Sequence, residues 1–164
     1  MSKINLYKKA DKNVMKEIFQ EIKKNMETNI DKEMEKRIRQ GYVFTDVADF
    51  VIDDIEIPLK ETLKVARAYF NNLIKMIRMG EIENLKINED PMFDLNDMLH
   101  KARAWVSQLN IALNALENKE KNPAGRYILD MLLNHIKERM REKKEQESDT
   151  IKNTIKALDM VQKA

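Results

Sequence analysis

Cysteine is absent from the 164 residues, which excludes a disulfide scaffold, thiolate metal sites and a cysteine nucleophile. Glycine and proline number three each, too few turn formers for a many-stranded β fold. The two histidines, His100 and His135, stand in no recognisable nucleophile motif. A dominant charge is missing too: 30 basic residues face 28 acidic ones for a net of +2, so the whole chain casts no strong field toward nucleic acid or membrane. The longest uncharged run, Ala104 to Leu116, carries Ser107, Gln108, Asn110 and Asn114. It falls short of the roughly 18 to 20 apolar residues that a bilayer span requires, and reads as a buried, central core helix. Met1 to Lys12 bears lysines with no apolar run behind them, so no secretory signal or membrane association is expected and the protein should be cytoplasmic.

What the sequence does hold is hydrophobic residues at 43% and charged residues at 35%, a balance suited to long amphipathic helices in one domain. Val14, Ile18, Ile22, Met26, Ile30, Met34 and Ile38 recur in steps of four and predict one helix from Asp11 to Gln40, ended by Gly41. Thr45 should cap a short helix from Asp46 to Glu56, broken at Ile57-Pro58. Leu59, Leu63, Ala66, Phe70, Leu73, Ile74 and Ile77 then form a stripe that ends at Gly80. Glu81 to Pro91 is acidic and without period, a loop. Asp94 caps the next helix, and Asn122-Pro123 opens another with Tyr127, Ile128, Met131, Leu132, His135, Ile136 and Met140 inward. The expected fold is all-α: an up-and-down bundle of four long helices plus one short helix and a C-terminal helix. Residues 1–164 form a single domain, with 148–164 a detachable docking helix. Most of the eleven methionines fall on the apolar stripes and read as core fillers.

Metal chemistry has few residues to use. Asp97 and His100 share a helical face, but a di-iron bundle needs two such pairs and this chain has one. Asp97 is assigned to the helix dipole and His135 to packing. Glu17 and Glu21, followed by Asp46 and Asp49, resemble the acidic pattern of the all-α nucleotide pyrophosphohydrolases of the MazG type, with Ile18 where a second adjacent glutamate belongs. That resemblance implies Mg²⁺ held between helices by these four carboxylates. Asp53 would extend the acidic face as a solvated surface. Gly41, Phe44, Thr45, Ala48, Asp49, Phe50, Val51 and Ile55 also resemble the turn and second helix of ribbon-helix-helix DNA-binding regulators, with Ile52 at a usually basic place. That likeness implies a basic strand at Lys3 to Lys9 paired across a dimer in the major groove.

Charge segregation is the more informative feature. Gly41 to Leu63 has one base and six acids, Lys64 to Gly80 four bases and no acid, and Glu81 to Met98 one base and six acids. Lys60, Lys64, Arg67, Lys75 and Arg78 lie on one stripe about 27 Å long at 1.5 Å per residue, suited to phosphates or an acidic partner. The blander reading pairs this stripe with the acids of the chain itself. The last segment carries Ile151, Ile155, Leu158 and Val161 in line, too short to be stable alone. The charged spacer before it favours a contact with a second subunit. The sequence thus points to a non-catalytic helical interaction module without a cofactor, homo-oligomeric or a small subunit, binding a protein partner or nucleic acid through the basic stripe.

Overall fold

A computed structural model describes residues 3–6, 8–9, 12–24, 29–50, 59–86, 94–118, 123–142 and 149–163. They form an all-α bundle of six helices packed against one another. Strands β1 (Ile4–Leu6) and β2 (Lys8–Lys9) precede helices α1 (Lys12–Lys24) and α2 (Ile30–Arg39). Strand β3 (Tyr42–Val43) and a 3-10 turn (Val47–Phe50) come before α3 (Leu59–Arg78), then β4 (Ile82–Leu85), α4 (Leu95–Glu117), α5 (Pro123–Glu142) and α6 (Asp149–Lys163).

The single helix expected from Asp11 to Gln40 is two. Steps of four advance about 40° each around a 3.6-residue turn, so a long run of them winds off any one face of a straight helix. Asn29 resets the phase: its backbone is extended and its side-chain oxygen accepts the Asp31 amide at 3.0 Å, capping α2. Each shorter helix then buries its own face, Met15, Ile18 and Phe19 on α1, Met34 and Ile38 on α2. Gly41 ends α2 at φ 87°, where a Cβ would also stand 3.3 Å from the Asn5 carbonyl oxygen.

The acidic loop expected after Gly80 holds β4, whose Ile82 and Leu85 are buried while Glu83 and Asn84 face out. Two apolar residues three apart give no alternation, so the strand is visible only through its partner. β1 pairs with β4 in parallel, Ile4 opposite Ile82 and Leu6 opposite Leu85, and β2 pairs with β3 in parallel.

The short helix expected from Asp46 begins as the 3-10 turn, and Asp46 rather than Thr45 caps it. Asp46 Oδ1 accepts the Ala48 amide at 2.9 Å, and Asp49 Oδ2 accepts those of Thr45 and Asp46 at 3.1 and 3.2 Å. This is the reciprocal arrangement of a capping box. Residues 51–58, with Ile52, Asp53 and the Ile57-Pro58 break, lie outside the described residues, as do Met26, Asn122 and Ser148.

The hub of the bundle is α3, not α4. Its buried residues, among them Leu63, Val65, Ala68, Tyr69, Phe70 and Met76, spread around most of the helix, which packs on α2, α4 and the 3-10 turn. The uncharged run on α4 misled because lack of charge is not burial: Ala104, Ser107, Gln108, Asn110 and Asn114 are all exposed. Beneath α3, Phe44, Phe50, Tyr69 and Phe70 interlock with ring centroids 4.3 to 5.6 Å apart. Such pairs add about 0.5–1.5 kcal/mol each beyond the area they bury. Tyr69 also ties its neighbours by hydrogen bonds: its hydroxyl accepts the Phe44 amide at 3.0 Å and donates to the Tyr42 carbonyl at 3.3 Å.

Helix α5 starts at Pro123 as expected but is rotated from the expected phase. Leu129, Leu132, Leu133 and Ile136 are buried, whereas Tyr127 is 66% and Met131 53% exposed. Three apolar residues per turn leave the inward direction undecided until the neighbours are in place.

Candidate interaction surface

The basic stripe lies among the positions of α3 that its neighbours leave uncovered, with Glu61 and Asn71 exposed beside it. Lys60, Lys64 and Arg67 are half-buried, and Lys75 and Arg78 exposed. The first half leans on α4, which runs antiparallel: Lys60 Nζ lies 3.0 Å from Glu117, and Arg67 Nη1 donates to Asn110 Oδ1 at 2.9 Å. The hydrogen bond from Lys60 holds the Glu117 carboxyl below the usual range, with the charges of Lys60, Lys64 and Arg67 adding to it. Partial self-pairing is therefore present, but with an acid of α4 rather than with the flanking acidic segments. Arg103 of α4 is exposed two turns before Asn110 on the same face. It extends the stripe onto a second helix, which the sequence reading missed because only packing brings α3 and α4 side by side. The seven-residue spacing of Arg103, Asn110 and Glu117 is the signal that was available.

The four carboxylates suggested for magnesium are drawn to two places. Arg37, 6% exposed, reaches from α2 to α1: its Nη2 lies 2.8 Å from Glu21, its Nη1 4.0 Å from Glu17 and its Nε 3.0 Å from Glu33. The guanidinium supplies the positive charge these acids face. Burial raises the Glu33 carboxyl above the usual range, helped by its hydrogen bond to Glu21, and that same bond lowers Glu21. Asp46 and Asp49 serve the capping box instead. Among the described residues no group of three or more His, Cys, Asp or Glu side chains is placed to hold a metal ion.

Asp46 has a second partner that the sequence reading did not foresee, His135, whose Nε2 lies 2.8 Å from Asp46 Oδ2. The imidazole sits 5.7 Å from the Trp105 ring, and the indole N–H donates to the Thr45 carbonyl at 3.4 Å. These contacts pin α4 and α5 to the capped turn. They make His135 a packed histidine with a carboxylate partner, while His100 and Asp97 are exposed on α4.

The strand suggested by the ribbon-helix-helix likeness exists but is paired inside the chain, β1 with β4 and β2 with β3. The tail expected to reach a second subunit docks on α5 of its own chain. Leu158 is 4% exposed, Ile155 and Val161 are half-buried, and the Ile151 side chain lies outside the described residues. The seat for α6 is hidden in the sequence because Lys137 reads as the start of a charged spacer, although Met140, expected inward, lies one turn on. Both are buried at 7% exposure, and Lys137 Nζ meets Asp159 Oδ1 at 2.6 Å and also Gln162 Oε1. That hydrogen bond, first among its causes, holds the Asp159 carboxyl below its ordinary value.

No protein-family model, no curated protein and no solved structure matches the chain. Among the described residues, no helix is long and apolar enough to cross a membrane.

Proposed function

We propose that this chain is a non-catalytic helical interaction module that binds an anionic macromolecule along α3. The observation that supports this reading is the seam between α3 and α4. Among the described residues, Lys60, Lys64, Arg67, Lys75 and Arg78 with Arg103 put six cations beside two exposed carboxylates, Glu117, which pairs with Lys60, and Glu61. Asn71, Ser107, Asn110 and Asn114, all exposed, lie among them as uncharged hydrogen-bonding groups. Cations spaced along a helix match the charges of a phosphate backbone or of an acidic polypeptide, and carboxamides can position either. The nucleotide-hydrolysing and ribbon-helix-helix readings gain no comparable support.

The test is fluorescence anisotropy with a labelled DNA duplex, a labelled single strand and a polyglutamate peptide, each over a salt series. Binding to at least one probe should weaken steeply with salt. Replacing Lys75 and Arg78 together by glutamate should weaken it further, and flatten the logarithmic salt slope by about two if both touch phosphates. Failure of all three probes to bind at low salt would end this reading.

A further inference from the structure

We infer, building on the anionic partner proposed above, that this partner is double-stranded RNA, with the cations of α3 on its phosphates and a line of polar side chains on α4 on its ribose hydroxyls. That line is Asn96, His100, Arg103, Ser107, Asn110 and Asn114, which follow one another by four, three, four, three and four positions, share a face of α4 and are all exposed. From Asn96 to Asn114 it is about 27 Å long at 1.5 Å per residue, as long as the cation row from Lys60 to Arg78. The contacts of Lys60 with Glu117 at 3.0 Å and of Arg67 with Asn110 at 2.9 Å lay the two lines side by side. Acids approach α3 from the opposite side. Asn72 donates to Asp31 of α2 at 3.3 Å, and Glu61, about three turns before Asn72, shares its side. A polyanion seated on the cations is therefore turned toward α4.

The α4 line selects among polyanions. Carboxamide and hydroxyl side chains both donate and accept, whereas phosphates and carboxylates accept and do not donate. A ribose 2′-hydroxyl does both, so it answers the whole hydrogen-bonding capacity of Ser107 and Asn114, which an acidic polypeptide or a DNA sugar leaves in part unused. The minor groove of an A-form RNA helix is wide and shallow and displays its 2′-hydroxyls beside the phosphates. A cation row with a parallel line of hydroxyl and carboxamide groups one helix spacing away, about 8–10 Å, follows the same order. Single strands are held largely by stacking bases on aromatic rings. Here Tyr69 and Phe70 of α3 are fully buried, and Trp105 lies on the flank of α4 that meets His135. A flexible chain would also lose conformational freedom on lying along a straight face of this length, a cost that an already stiff duplex avoids.

The test is fluorescence anisotropy of the full chain with a labelled RNA duplex of about 20 base pairs, a DNA duplex of the same sequence, the single RNA strand and polyglutamate. The RNA duplex should bind at least about tenfold tighter than each of the others. Ser107→Ala combined with Asn114→Ala should weaken RNA binding about tenfold, toward that of DNA, and leave DNA binding unchanged. Both side chains are exposed, so thermal unfolding of this variant should match that of the wild type. Tightest binding to the DNA duplex, the single strand or polyglutamate would overturn the assignment to double-stranded RNA while leaving the anionic-partner reading in place, and so would equal binding to the two duplexes. An RNA preference untouched by the paired substitution would overturn the role of the α4 line and the inference with it. Failure of every probe to bind at low salt would end both.

Discussion

The aromatic cluster under α3 and the seat of α6 on α5 are held by opposite means. Phe44, Phe50 and Phe70 are fully buried, and Tyr69 contributes the one hydroxyl, satisfied by backbone groups on both sides. The α5–α6 contact buries Leu158, packs Ile155 and Val161 beside it, and adds the polar contacts of Lys137, Asp159, Gln162 and Arg126. Apolar burial has no charge to screen or titrate, whereas a lysine at 7% exposure facing a carboxylate half open to water does. The same bundle thus has a centre fixed by packing and an end fixed by charge.

Substitutions should separate the two. Phe44→Ala removes a ring from the cluster and should cost about 3–5 kcal/mol in denaturant unfolding, felt by the whole chain. A loss confined to one helix would show that the cluster is not the centre of cooperativity. Tyr69→Phe keeps the ring but strands the buried Phe44 amide, for a loss of about 1–3 kcal/mol. An unchanged midpoint would mean that the hydroxyl contributes nothing. Lys137→Met should act locally, with amide exchange speeding up across α6 while α3 keeps its protection; equal protection in wild type and variant would refute the charged seat.

The gentlest probe is acid. Asp159 titrates below the ordinary aspartate value of 3.8 because Lys137 hydrogen-bonds its ionised form. Its contribution is therefore complete above that value and is lost as pH falls through the lowered one. The protection of α6 amides, relative to their intrinsic exchange at each pH, should fall as pH drops below about 4, and Asp159→Asn should remove that step. Tyr69, whose hydroxyl is pushed well up by burial, stays protonated throughout.

Where one residue type answers one backbone demand, the sequence was legible. Gly41 and Gly80, at φ 87° and 71°, end their helices as read, Asp94 caps α4, and Pro123 opens α5. Burial was harder to read wherever apolarity pointed two ways. Tyr127 and Leu129 are both apolar, and only the position of α4 and α6 decides that Leu129 goes inward. The basic stripe could be read from spacing on one helix, but Arg103, Glu117 and Asn110 join it through packing. The carboxylates Glu17 and Glu21 looked available for metal because Arg37, the cation that meets them, is contributed by another helix.

The parallel strand pairs bear on the order in which the molecule can be made. Asn5 hydrogen-bonds Asn84, a partner 79 positions away, and parallel strands cannot be joined by a tight hairpin. While the chain is being synthesised, residues 4–6 must wait until β4 has emerged, and with it α1, α2 and α3. A segment made early is thus among the last to be placed. Until then its edge is open, a row of unpaired backbone groups that another strand could join.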